Sequence, residues 1–180
     1  ENAGLRHTAY LAGLLHDAGK AKTEFREYIE KAYQGEKVIR GSVNHTFAGV
    51  IWILERYHTD ESSIWEKLAS ETIGYAVGSH HGMFDCADLN GENGFLHRLK
   101  KDRKEIFYQE AMQNYFTYVW KEEALDRIFQ KSVQEIESFF QSVKETYPDR
   151  KAAFFQMGML VRLILSAVIY GDRRDTSEFM

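Results

Sequence analysis

The chain has 180 residues, 23 Lys+Arg against 27 Asp+Glu for a net charge of −4, and 44% hydrophobic residues, enough for one domain with a real core, which excludes disorder as the main state. The acidic balance gives no global positive field to draw in nucleic acid, so a polyanion needs a local device to hold it, such as bound metal. The single cysteine, Cys86, cannot close an internal disulfide, which argues against a stapled secreted scaffold and for a reducing cytoplasm.

In chain order, a first helix carries Leu5, Leu11, Leu14 and Leu15 and is expected to stop near Gly19 in a left-handed turn. A second starts with Thr23 as N-cap and runs through Phe25, Tyr28 and Ile29 to Gly35. Residues 38–43 read as a loop, and a third helix follows Asn44 with Phe47, Ile51, Trp52 and Leu54. The capping box Ser63 and Glu66 opens a fourth, which ends around Gly78. Residues 82–94 hold Asp85, Asp88, Asn90, Asn93 and several glycines and read as a loop. Two amphipathic helices follow, before and after Lys121, and Pro148 separates them from a last helix capped by Asp149. Its inward stripe is read as Phe154, Leu160, Val161, Ile164, Leu165 and Val168. With one proline in the chain and no period-two run of comparable length, the fold class is all-α. No apolar run is read as approaching a membrane span of roughly 18 residues, and there is no basic-then-apolar export segment, so no membrane partner is expected.

The chemistry concentrates in seven histidines. His16 precedes Asp17, His80 and His81 are adjacent, and His45 stands alone at a helix start. Imidazole and carboxylate are ligands for first-row metals, and a carboxylate such as Asp17 can bridge two of them. His16, Asp17 and Lys20 close an otherwise apolar helix, where charge without a partner is expensive and a metal removes the cost. His7, His58 and His97 read as ordinary side chains. The basic run Lys100, Lys101, Arg103, Lys104 reads as a solvated face, and Phe107, Tyr108, Tyr115, Phe116, Tyr118 and Trp120 read as core aromatics. Cys86 is left out of any ligand set.

The string LLHDAGK (residues 14–20), the later His45, the doublet in GSHHG (78–82) and the aspartate in VIYGDRRDTSEF (168–179) together resemble the HD superfamily of metal-dependent phosphohydrolases. Gly82 after the doublet, Phe25 and Tyr28 after Lys20, and Arg162, Ser166, Asp172, Arg173 and Phe179 near the end are most similar to the CRISPR-associated HD nuclease branch. The resemblance implies a single HD-domain helical bundle over 1–180 with a central metal site. It makes His16, Asp17 and Asp172 ligands of one divalent cation and Asp17, His45, His80 and His81 ligands of its neighbour. Asp172 also continues the inward face four residues after Val168. Asp17 and Lys20 are the implied catalytic residues, with Lys20, Ser166 and Arg173 toward substrate.

Family members carry a further histidine in an earlier helix, so the natural N-terminal helix is expected to be missing and the first metal to be less filled. Nitrogen-rich ligation favours manganese, nickel, cobalt or iron, with magnesium admitted. The implied activity is metal-dependent cleavage of single-stranded DNA in type I CRISPR interference, in the cytoplasm, with a helicase domain or subunit and an RNA-guided surveillance complex. A phosphohydrolase of small nucleotides and a metal-stabilised binding module are the other classes considered.

Overall fold

The structure is a computed structural model that describes residues 4–39, 42–43, 45–82 and 93–178. Its helices are α1 (Arg6–Leu15), α2 (Thr23–Tyr33), α3 (Ala48–Tyr57), α4 (Ile64–Gly78), α5 (Gly94–Leu99), α6 (Tyr108–Tyr118), α7 (Glu122–Thr146) and α8 (Arg150–Glu178), with a 3₁₀ turn at Ala18–Ala21. Among the described residues there is no strand. The all-α expectation holds.

α1 is the central element. Thr8, Leu11, Ala12 and Leu15 are buried at helical spacing, and α1 packs on α4, α7 and α8 while α3 packs on α4. No side chain of its own N-cap residue, Leu5, closes its first turn. Glu135 of α7 does so: its carboxylate accepts the backbone N–H groups of His7 and Thr8 at 2.9 Å and the Thr8 hydroxyl at 2.9 Å, and its Oε1 lies 2.7 Å from His7 Nδ1. A carboxylate on the orphan amides of a helix start also faces the positive end of the helix dipole.

Burial tends to raise the Glu135 pKa, but the N–H groups and side chains of His7 and Thr8 outweigh it and hold it below its ordinary value. A depressed carboxylate contributes stability that is present above the unfolded-state pKa and lost as pH falls through the folded one. Glu135→Ala is therefore expected to cost about 2 kcal/mol at pH 7. The gap to the wild type should shrink in acid, below the ordinary glutamate value of 4.5. Urea unfolding at neutral and acid pH checks this, and a gap independent of pH would contradict it.

Several local expectations are corrected. α1 stops at Leu15 rather than near Gly19, and Gly19 is not among the residues with positive φ. Its role is space: a Cβ there would lie 2.0 Å from the carbonyl oxygen of His45. Lys22, in extended conformation, and not Thr23 is the N-cap of α2, and the Thr23 N–H at the helix start donates to Glu110 Oε1 at 2.9 Å. Gly35 does adopt the left-handed conformation after α2, at φ 79°. α3 starts at Ala48 rather than directly after Asn44. The box at Ser63 and Glu66 forms with both of its bonds, and Asp149 accepts the Ala152 N–H. The loop expected at 82–94 falls mostly on residues outside the described ones, as does Cys86.

On α8 the buried stripe is Met157, Leu160, Ile164, Leu165 and Val168. Phe154 is 63% exposed and Val161 half-buried, so neither belongs to that stripe. The expectation that no run approaches a membrane span is also corrected. Arg150–Asp175 is long and apolar enough by length and composition alone, with a mean hydropathy of 1.9 and 28% of its apolar window buried. One side of it is a core face of the bundle. Of the aromatics expected in the core, Tyr115 is buried, whereas Phe107 and Tyr118 are exposed.

Candidate metal centre

Three segments converge where α1 ends. The first is the turn after Leu15, with His16, Asp17 and Lys20. The second is the approach to α3, with His45. The third is the end of α4, with His80 and His81, and Asp172 of α8 closes the site from the side. Two glycines let the backbones meet. Gly19 lies against the His45 backbone, and a Cβ on Gly49 would lie 2.2 Å from the Leu15 carbonyl oxygen. α6 holds both ends of the turn, since the Tyr115 hydroxyl donates to the Leu14 carbonyl at 2.8 Å and Asn114 Nδ2 donates to the Ala21 carbonyl at 2.9 Å. Burial raises the Tyr115 pKa to about 12, so this hydroxyl stays a donor at any physiological pH.

The side chains form two groups of donors, each with its ligating atoms within 4.8 Å of one another: His16, Asp17 and Asp172, and His45, His80 and His81. Asp17 links them. His16 Nε2 lies 3.1 Å from Asp17 Oδ2 and 3.7 Å from Asp172 Oδ1, and Asp17 Oδ1 lies 3.8 Å from His45 Nε2. His45 Nε2 and His81 Nε2 are 2.9 Å apart. All six candidate ligands are thus brought together, His16, Asp17 and Asp172 in one group and His45, His80 and His81 in the other, with Asp17 Oδ1 facing the second group through His45.

Outer contacts orient the rings. Nδ1 lies 2.6 Å from the Gly13 carbonyl oxygen in His16, 3.1 Å from that of Val43 in His45, and 2.6 Å from that of Val77 in His80. A backbone carbonyl can only accept, so Nδ1 carries the proton and Nε2 faces the centre, the arrangement that metal-ligating histidines use. Lys20 Nζ donates to Asp17 Oδ2 at 2.6 Å, so the two form an ion pair. Ser166 and Arg173 do not join the donor groups. They lie on the exposed side of α8, where the Ser166 hydroxyl donates to the Arg162 carbonyl.

The electrostatics favour the neutral imidazole at His80 and His45 and a charged carboxylate at Asp17. Burial, reinforced by the neighbouring His81 and His16, pushes His80 down to about 4 against the pull of the Val77 carbonyl and Asp17. Burial also lowers His45. His16 moves the other way, because Asp17, the Gly13 carbonyl and Asp172 outweigh its burial. Asp17 itself is held well below the usual carboxylate range, as His16 and Lys20 overcome its burial.

The arrangement fits a metal on one observation above all. His16 Nε2, Asp17 Oδ1 and His80 Nε2 are buried and make no hydrogen bond, and such atoms cost about 1–3 kcal/mol each when left unsatisfied. All three belong to the converging donor set, and a divalent cation between them would satisfy them together.

The expected bystanders have other partners. His7 is bound to Glu135, His58 lies 2.7 Å from Glu71, and Arg103 bonds Glu55 and the Leu99 carbonyl. Sequence reasoning missed Tyr115 and Asn114 as supports of the turn. Nothing local marks them, because their partners lie 101 and 93 residues away.

No curated protein and no solved structure matches the chain. A family profile described as Cas3, HD domain, matches residues 1–168, a span that holds every candidate ligand except Asp172. Profile and geometry agree: the chain belongs to the Cas3 HD-domain family, the CRISPR-associated HD nucleases.

Proposed function

We propose that the chain cleaves phosphodiester bonds in single-stranded DNA as the nuclease component of type I CRISPR interference. In this reading it works in the cytoplasm with a helicase domain or subunit and an RNA-guided surveillance complex. The observation that carries the hydrolytic reading is the pair of donor groups linked through Asp17 and His45, with buried unsatisfied atoms in both. His16, Asp17 and Asp172 would hold one divalent cation, and His45, His80 and His81 with Asp17 the other. Bound there, two such cations lower the pKa of an attacking water and neutralise charge at the phosphorus. Manganese, nickel, cobalt or iron suits the imidazole nitrogens better than magnesium does.

The remaining work belongs to the chain. The carbonyls of Gly13, Val43 and Val77 fix three imidazoles so that little reorganisation accompanies ligation. His16 and Lys20 together keep Asp17 ionised. The Lys20 side chain is 36% exposed, so its ammonium also faces the approach of a phosphate and can bind a non-bridging oxygen. No protein nucleophile is required.

The test offers manganese-loaded protein a single-stranded oligonucleotide, the matching duplex and a panel of free nucleotides. The single strand is expected to be cut fastest. Rapid turnover of a free nucleotide with the oligonucleotide intact would promote the small-nucleotide phosphohydrolase in its place.

A further inference from the structure

The outer face of α8 carries an uncovered strip that the hydrolytic site does not use. Phe155, Met159, Arg162, Ser166, Tyr170 and Arg173 succeed one another at three- and four-residue steps, which aligns them along one side of the helix. All are exposed, Phe155 at 62% and Tyr170 at 68%. In a chain of net charge −4, α8 holds no Asp or Glu between Arg150 and Gly171. Its charged residues over that length are Arg150, Lys151 and Arg162, and Arg173 and Arg174 follow. The strip runs about 27 Å from Phe155 to Arg173 at 1.5 Å per residue. It ends next to Asp172, whose Oδ1 lies 3.7 Å from His16 Nε2.

This composition selects among occupants. A bilayer would tolerate cations at the ends of the face, but Arg162 lies midway along it. A second copy paired about its middle would bring Arg162 against Arg162 with no carboxylate between. An unpaired nucleic-acid strand uses both features, since aromatic faces stack bases and arginines meet the phosphates between them.

We propose that this face of α8 is a binding track for single-stranded nucleic acid, leading the strand along Phe155, Arg162, Tyr170 and Arg173 to the metal centre. The proposal deepens the nuclease reading and rests on it for the strand's destination.

The test measures fluorescence anisotropy of a labelled oligothymidylate with the full chain in chelator, so that binding is read without cleavage. The double change Arg162→Ala, Tyr170→Ala should weaken binding by about tenfold or more, as loss of a stacking platform and a phosphate contact does. The magnitude of its log–log salt slope should fall by about 0.7. Arg162→Lys with Tyr170→Phe keeps a cation and a ring and should bind within about twofold of the wild type, since both the stacking and the charge remain. Tyr33→Ala, on α2 at a residue 93% exposed, is the surface control and should not change binding.

Wild-type affinity in the double alanine variant, with helicity retained, would overturn the track. So would a chain that ignores the oligonucleotide but dimerises or sediments with lipid vesicles through this face. Hydrolysis by manganese-loaded wild type is read separately. Binding through the strip without any cleavage keeps the track and sinks the nuclease, whereas cleavage with strip-independent binding does the reverse.

Discussion

Asp17→Ala is expected to abolish hydrolysis and empty the site of metal. Asp17 reaches both donor groups, through Oδ2 beside His16 and Oδ1 facing His45. Its loss would remove a donor from the first group and the carboxylate facing the second, leaving the imidazoles and Asp172 alone to hold two divalent cations. Changes outside the ligand shell of metal sites already cost about 10–100-fold, so loss of this ligand should exceed a hundredfold in manganese affinity. The fold itself should survive, because the residue left without its partner, Lys20, is 36% exposed in its side chain and can be solvated.

Three measurements separate these statements. Elemental analysis should find little bound metal. Manganese should no longer raise the melting temperature, since a ligand stabilises only in proportion to its binding. Phosphodiester turnover should vanish. His45→Ala and His81→Ala should behave similarly. His58→Ala should not, because His58 is engaged with Glu71 instead. Near-wild-type turnover with bound metal in Asp17→Ala, or an equal loss in His58→Ala, would mean that the ligand set is wrongly drawn.

The parts of this site that could be read in the sequence are those whose chemistry is local or carried by residue type. A histidine next to an aspartate at the end of an apolar helix, and a histidine doublet between glycines, announce ionisable groups where burial makes them costly. Asp172 could be placed because helical periodicity continues from Val168 to it. What supports the ligands was not legible, since each support joins elements far apart in the chain. Glu135 caps α1 from 128 residues away, and Glu110 accepts the first amide of α2 from 87 residues away.

Local rules misfired where tertiary contacts took over their groups. Thr23 carries a good N-cap side chain, yet it sits inside the helix. Phe154 follows the apolar period, yet it stays 63% exposed, with the Arg150 guanidinium over its ring. The apolar residues on the outside of α8 could not be told from core by spacing, because periodicity assigns a residue to a face without saying what that face meets.

Gly19→Ala provides the sharpest link between fold and centre. A glycine at the end of an apolar helix reads as a left-handed stop, but here its backbone lies outside the positive-φ region and the constraint is contact. The added Cβ would sit 2.0 Å from the carbonyl oxygen of His45, 2.7 Å from its carbonyl carbon and 2.9 Å from its Cα. These are backbone atoms and have no rotamer to change, so the turn bearing Asp17 and Lys20 must move away from the segment bearing His45. Overpacking of this kind costs about 1–3 kcal/mol. The movement also widens the 3.8 Å gap between Asp17 Oδ1 and His45 Nε2, the link between the two donor groups. Manganese affinity is therefore expected to fall by more than about tenfold, beyond what the lost stability alone explains. Gly158→Ala is the companion: it lies inside α8, its added Cβ would meet nothing within 4 Å, and it should stabilise the helix by about 0.5–1 kcal/mol while leaving metal binding intact. Titrating manganese into both variants below their melting temperatures decides the matter. Unchanged affinity in Gly19→Ala would show that the turn and the His45 segment can separate without disturbing the site, and would break the argument that backbone contact sets the ligand geometry.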